Sequence, residues 1–266
     1  MTAATGSRVV RHVEHVMGLP VSLALRGRHA GDAAGRAAWR AVMASLHDAD
    51  RVFSTYRPDS AVSRLDRGEL TLDAAPPEVG EVLALAERAE RASGGAFSAW
   101  RRDPDGRRRL DPSGVVKGWA VERAAAALRA LDDTDFCVAA GGDVLGRAED
   151  PDRPWRIGIE DPHDPCRILA TVPLRDGAVA TSGTAHRGAH VVDARTGRPP
   201  ADVAAVTVVH RSLTWADIDA TAAFAQGADA AAWLRRRVGR TGLVVADDGS
   251  VTVLDGSGPI SWAQIS

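Results

Sequence analysis

Between residues 136 and 210 the chain carries six short β-like runs in succession, at 136–140, 155–159, 168–174, 179–182, 190–193 and 203–210. Strands that follow one another this way do not need a crossover helix between each pair, whereas a doubly wound parallel sheet does. The rest of the pattern agrees. Two strands at 9–16 and 21–25 flank a turn at Met17-Gly18-Leu19-Pro20. Apolar residues at helical spacing mark 33–50, with Asp32 as its N-cap, and 77–92, which Gly94-Gly95 stops. Further helices are predicted at 117–131, 217–226 and 229–238, and closing strands at 243–246 and 251–254. Helices and strands segregate, so the expected class is α+β. The Arg-rich stretch 101–109 reads as a solvated loop.

The 266 residues are 45% hydrophobic and 26% charged, with a net charge of −2. That balance supplies no field for nucleic acid or anionic lipid, so neither is expected as a partner. No run approaches the roughly 18 apolar residues of a membrane helix, and Glu14 and the histidines near the start stand where a signal peptide needs an apolar core. The expectation is one domain over 1–266, in the cytoplasm, with no membrane insertion. All basic residues except Lys117 are arginine. Coding bias explains the arginines, and it leaves Lys117 as a place where a compact ammonium is wanted, or as a chance survivor. Cys137 and Cys166 lack metal-type spacing and read as buried or half-buried free thiols. His12 and His15 fall on opposite faces of a strand and read as strand or surface histidines.

Walker, G-x-S-x-G and H-E-x-x-H signatures are missing, which removes the usual NTPase, esterase and zinc-protease readings. What remains is a set of clusters at the ends of elements. Asp111, Gly114 and Lys117 stand together at the start of a helix, where an ammonium and free N–H groups suit an anion, although an ordinary helix start looks the same. Gly141-Gly142-Asp143 follows a strand and allows close backbone approach to a ligand, or is simply a turn. Thr181-Ser182-Gly183 offers two hydroxyls and a flexible amide, or again a turn. His190 begins a strand and serves as a base or an edge residue. Asp217 and Thr221, four apart, share a helix face, and a carboxylate with a hydroxyl suits Mg²⁺; the plain alternative is a helix-terminal charge.

In this order the clusters resemble the ApbE family of FAD:protein FMN transferases. The resemblance runs from Met17-Gly18 through Phe53-Ser54-Thr55-Tyr56, Ser60 and Ser63, Gly95-Ala96-Phe97 and the 111–118 segment. It continues through Gly141-Gly142-Asp143, 155–162, Thr181-Ser182-Gly183, 190–197 and 216–221. It implies a mostly antiparallel sheet with segregated helices and Mg²⁺-dependent transfer of the FMN half of FAD to a Ser or Thr of an acceptor protein, with release of AMP. By position it implies metal ligation by Asp217 and Thr221, with main-chain carbonyls from Gly114 and Ala220. Flavin-nucleotide contacts fall to Met17, Tyr56, Ala96, Phe97, Ser98, Asp111, Lys117 and Val191, with Gly141, Gly142, Asp143, Thr181, Ser182 and Gly183 completing the nucleotide site. His190 matches a histidine that handles the flavin or the acceptor's proton. Ser98 stands where the family usually has Asp, Leu19 replaces Thr, Asp66 replaces Asn, and the spans 97–111 and 183–190 are short.

The chemistry suits those parts. A pyrophosphate needs cations on the transferred and leaving phosphates, from Lys117 and Mg²⁺ or Mn²⁺. The attacking hydroxyl needs a base, for which His190, Asp217 and Asp111 are candidates. Two other readings use the same residues: a Mg²⁺-dependent FAD pyrophosphatase, in which water replaces the acceptor, and an FAD-binding protein without turnover.

Overall fold

The structure, a computed structural model, describes residues 8–103, 105–184 and 191–255. Its frame is an eight-stranded, wholly antiparallel sheet in the order β1 (Val10–Val16), β2 (Leu19–Gly27), β5 (Thr134–Ala140), β6 (Asp143–Arg147), β9 (Asp176–Gly183), β10 (Ala205–His210), β11 (Thr241–Val245) and β12 (Val251–Leu254). A hairpin of β3 (Trp100–Arg102) with β4 (Arg108–Leu110), and another of β7 (Trp155–Asp161) with β8 (Asp164–Leu174), stand outside it. The helices are α1 (Ala33–Phe53), α2 (Ala61–Asp66), α3 (Pro77–Ala92), α4 (Ser113–Ala124), α5 (Ala126–Arg129), α6 (Leu213–Phe224) and α7 (Ala230–Arg235). The α+β expectation holds, and no described helix is long and apolar enough to cross a membrane.

Alternation along the strands builds two apolar layers. Ala178, Ala180, Val206 and Val208 pack into a core with residues of α1, α3, α4 and α6. Their neighbours Val179, Ala205 and Val209 join Ile159, Val172 and Leu174 of the β7–β8 hairpin on the other face. With both faces covered, β10 can be an almost unbroken apolar run. Helix α6 is immersed: only Trp215 and Thr221 along it are not fully buried. Its apolar character all round is what such a position requires.

Several boundaries differ from the expectations. The helix predicted at 117–131 is two helices, α4 and α5, and α4 starts at Ser113, so Lys117 lies in its second turn. Likewise α6 starts at Leu213, capped by the Ser212 side chain accepting from Trp215 N–H, and Asp217 lies inside it. Strand β6, short and beginning at Asp143, is hidden behind the Gly-Gly turn, and the Arg-rich loop at 101–109 is the β3–β4 hairpin. His190 is outside the described residues; in place of a strand at 191–193 there is one bridge, Asp193 to Arg198. Cys137 is half-buried, as expected, whereas Cys166 is exposed because it sits near the turn end of β8. His12 stacks on Trp39 with ring centres 5.7 Å apart, and His15 is exposed.

Candidate active site

Three features of the sheet meet at one end. Met17-Gly18 joins β1 to β2 and Gly141-Gly142 joins β5 to β6, each as a two-residue turn whose residues all have positive φ. That geometry matches the twist of the flanking strands and asks for glycine. Met17, at φ +57°, is the exception. The β5–β6 turn is tied to the start of β2 by Gly141 N–H donating to Pro20 O at 3.4 Å, and the C-terminal end of β9, Thr181-Ser182-Gly183, lies beside it. Above this end runs a cleft of 810 Å³, lined by both turns, by Tyr56, Ala96, Phe97, Ser98, Asp111, Gly114 and Lys117, and by Thr181, Ser182, Gly183, Val191, Asp217 and Thr221.

Helices α4 and α6 cross at the floor of the cleft. A Cβ on Gly118 would lie 2.8 Å from both Asp217 Cβ and Leu213 O, so only glycine permits the approach. The Gly118 N–H donates to Asp217 Oδ2 at 2.9 Å. One residue earlier, Lys117 Nζ lies 2.6 Å from Asp143 Oδ2 and 3.2 Å from Asp217 Oδ1. The Asp143 and Asp217 side chains are 1% and 3% exposed, so a single ammonium neutralises two buried carboxylates only in part. Burial would push the Lys117 pKa down, but the charges of Asp217 and Asp143 outweigh it and hold the ammonium above its ordinary value. Burial, reinforced by the Asp217 charge, pushes Asp143 above the usual carboxylate range, against the pull of Lys117. Asp143 also accepts from Thr181 N–H at 3.2 Å; it does not line the cleft, so it fixes Lys117 and the end of β9.

The implied Mg²⁺ can be tested against these residues. Asp217 Oδ1 and Thr221 Oγ1 are hard oxygen donors one helical turn apart, and the Thr221 hydroxyl is 3.0 Å from Ser182 Oγ. A Cβ on Gly114 would lie 3.8 Å from Thr221 Cγ2 and 3.0 Å from the Phe97 ring, which puts Gly114 against the Thr221 methyl group. Among the described residues no group of three or more His, Cys, Asp or Glu side chains gathers for a metal, so the side-chain donors are this one carboxylate and the hydroxyl. Their type and placement fit Mg²⁺ or Mn²⁺. Ala220 is completely buried and outside the cleft wall, so it has only its carbonyl to offer.

The remaining expected residues are brought to the walls. Tyr56 is 96% exposed at the rim, on a loop that the buried Ser60 fixes by donating to Ser54 O at 2.7 Å. Phe97 N–H donates to Ser93 Oγ, and Ala194 N–H donates to Ala96 O, which ties the segment after Val191 to the 96–98 wall. Ser98 accepts from Trp100 N–H at 3.1 Å, and Asp111 is paired with Arg101 at 3.1 Å. Asp66 takes no part in the wall: it accepts from Leu110 N–H and from Arg109, both at 2.7 Å, and so anchors β4.

Two contributors carry no site signal in the sequence. Residues 157–162 of β7 and its turn form a cleft wall, although the segment itself reads only as an apolar strand and turn. Glu122 of α4 receives the N-terminus of α6: its Oε2 accepts from Ser212 Oγ at 2.7 Å, Thr214 N–H at 2.8 Å and Thr214 Oγ1 at 2.5 Å. A carboxylate there satisfies free helix N–H groups and the dipole, and sets the position of Asp217 and Thr221. Its signal in sequence, a lone Glu on a helix, is indistinguishable from a solvated charge.

The antiparallel sheet, the crossed buried helices and the lysine–carboxylate floor are the features to set beside known proteins. The sequence profile of the ApbE family matches residues 17–102 and 99–244, and the chain belongs to that family. An FAD:protein FMN transferase of Rhodobacter capsulatus is 34% identical over 152 residues, 53% of this chain and 29% of that protein. One from Vibrio cholerae is 31% identical over 156 residues, 54% of this chain and 43% of that protein. The matches thus span less than half of these curated relatives. Among solved structures, the flavin transferase ApbE from Vibrio cholerae aligns with TM-score 0.78 at 22% identity, covering 94% of this chain and 98% of the other. The Pseudomonas stutzeri flavinyl transferase ApbE aligns with TM-score 0.78 at 25% identity, covering 94% and 95%.

Proposed function

We propose that the chain is an FAD:protein FMN transferase, moving the FMN half of FAD to a Ser or Thr hydroxyl of an acceptor protein and releasing AMP, with Mg²⁺ as the metal. The observation that carries this reading is the floor of the cleft, where Lys117 and two buried carboxylates lie beside Thr221 and Ser182. In the reaction the acceptor oxygen bonds to the FMN phosphorus, the bond from that phosphorus to the bridging oxygen breaks, and AMP leaves with the electron pair.

Lys117 presents a fixed positive charge to the pyrophosphate, held by Asp143 so that little rearrangement is needed as charge shifts to the leaving phosphate. Asp217, Thr221 and the Gly114 carbonyl would hold the metal, with the Ala220 carbonyl behind them. When bound, it would act as a Lewis acid on the phosphate oxygens. Met17, Phe97, Tyr56 and Val191 offer apolar and aromatic surface to the flavin nucleotide, while the two glycine-bearing turns allow its close approach. Thr181, Ser182 and Gly183 offer hydroxyls and an amide to phosphate oxygens. The acceptor's proton passes to a base, with Asp111, Asp217 and His190 proposed for that role.

The test is to incubate the protein with FAD and Mg²⁺, with and without a flavin-acceptor domain, and to follow acceptor mass and AMP, with a chelator control. Covalent FMN with matching AMP, both lost on chelation and in Asp217→Ala, is the expected result. Full activity in Asp217→Ala would sink the metal assignment. AMP with free FMN and no modified acceptor would move the reading to a pyrophosphatase, and intact bound FAD to a binding protein.

A further inference from the structure

Among the described residues two cations line the cleft, Lys117 and Arg101, and they are held in different ways. Lys117 is engaged on two sides, by Asp143 and Asp217, and is 17% exposed. Arg101 of β3 is 58% exposed, with its Nε 3.1 Å from Asp111 Oδ2, and its side chain has no other partner among the described residues. Acidic side chains outnumber these cations on the wall, with Asp50, Asp111, Glu160, Asp161 and Asp217 all lining it. A polyanion entering such a cleft gains most from a cation whose donors are unspent. Fold stability gives no reason for Arg101. The hairpin register sets it opposite Arg109, a like-charged cross-strand pair that is ordinarily destabilising. Arg109 is neutralised by Asp66 at 2.7 Å, a carboxylate outside the cleft wall. Arg101 takes instead a partner that itself lines the cleft, and so exposed a pair adds little stability.

Asp111 also fixes where the guanidinium stands. Its Oδ1 accepts from Ser113 N–H at 3.2 Å while Oδ2 faces Arg101, so the carboxylate joins Arg101 to the first turn of α4. Ser113 and Lys117, both lining the cleft, are four residues apart, on one helix face and about 6 Å apart along the axis. Arg101 and Lys117 therefore stand one helical turn apart along the same wall, with the positive end of the α4 dipole on the Arg101 side. We infer that Arg101 is a substrate-contacting residue: its guanidinium donates to a phosphate oxygen of the FAD pyrophosphate, and Asp111 is the counter-ion that aims it. This rests on FAD as the substrate, as proposed above. A guanidinium meets two phosphate oxygens with parallel N–H donors, whereas an ammonium acts as a point charge. Arg101 thus reads the shape of the phosphate, and Lys117 its charge.

The test compares ligands with and without phosphate in the presence of Mg²⁺. Flavin fluorescence reads binding of FAD, FMN and riboflavin, and competition against FAD reads ADP and adenosine. Arg101→Met should bind FAD at least tenfold more weakly than wild type, with FMN, ADP or both weakened alongside it. Riboflavin and adenosine, which carry no phosphate, should keep their wild-type affinities. Arg101→Lys should fall between, having the charge without the fork. The control is Arg102→Met, one residue on, exposed, on the opposite face of the hairpin and outside the cleft wall; it should bind FAD as wild type does. Raising salt from about 50 to about 300 mM should weaken FAD binding more in wild type than in Arg101→Met, because exposed charges are screened. The melting temperature of Arg101→Met should not fall, since the Arg101–Arg109 repulsion goes with the side chain. Unchanged FAD affinity in Arg101→Met overturns the inference, as does a loss shared equally by riboflavin and adenosine or by Arg102→Met. If Arg101→Met loses FAD as expected but wild type modifies no acceptor, the transferase reading falls and the inference stands. Transfer with matching AMP in wild type, alongside unchanged FAD affinity in Arg101→Met, does the reverse.

Discussion

Lys117 shows how much one atom type can matter at a residue. Its ammonium fits between Asp143 and Asp217, 17% exposed, where a planar guanidinium would need more room and a different set of acceptors. Lys117→Met removes the cation and leaves two carboxylates buried together, a change expected to cost about 3–5 kcal/mol of unfolding free energy in urea titrations. Lys117→Arg should keep more of that stability and lose turnover, read as FMN transfer. Met17 offers a different test, because a left-handed backbone costs a non-glycine residue about 1–2 kcal/mol. Met17→Gly should raise the urea midpoint while raising the KM for FAD, since the thioether wall of the cleft is gone. No change in KM would mean that the strain at Met17 serves nothing in the cleft. The uniqueness of Lys117 singles it out in the sequence, and the structure sets it between two carboxylates; nothing in Gly141-Gly142-Asp143 marks Asp143 as its partner, since the burial of Asp143 arises only when β6 pairs with β9.

At the scale of elements, α6 is the part that must be placed correctly, and its N-terminus is held by Glu122 and by a histidine. Glu122→Gln weakens three contacts to Ser212 and Thr214, and a loss of about 2 kcal/mol is expected in chemical denaturation, with reduced kcat. His210 Nδ1 accepts from Ser212 N–H at 3.0 Å, which requires an unprotonated nitrogen. Burial, with Arg240 nearby, lowers the His210 pKa below its ordinary value near 6.5. A lowered histidine value means that the unfolded chain takes up the proton first. Stability is therefore complete above about pH 6.5 and declines as pH falls through the folded-state value. His210→Gln should flatten the melting temperature between pH 7 and 5; an unchanged slope would assign it to another group. Helix periodicity made α1 and α3 readable to within a few residues, while α4 and α6 began four residues before their expected starts. Both are buried nearly all round, so the amphipathic contrast that marks a start is weak there. The β3–β4 hairpin escaped for the opposite reason, since arginines dominate its two three-residue strands and nothing alternates.

On the scale of the whole molecule, the cleft is assembled from segments between Met17 and Ala225 that meet only when the sheet is complete. A ligand there grips most of the chain at once. FAD with Mg²⁺ at a hundredfold excess over its Kd should therefore stabilise the fold by about 2.7 kcal/mol, seen as a rise in melting temperature that Asp217→Ala abolishes. The α+β class was legible because uninterrupted strands exclude regular crossovers; the second apolar layer was not, because an apolar strand reads the same whether one face or two are covered. The sole lysine has an experimental consequence as well. Since Lys117 is locked in the floor as a protonated, ion-paired ammonium, a dye that acylates free amines has no reactive lysine on the folded surface. Each molecule that opens exposes one, so the rate of lysine labelling counts openings of the active centre, and protection by bound nucleotide turns the same chemistry into a footprint.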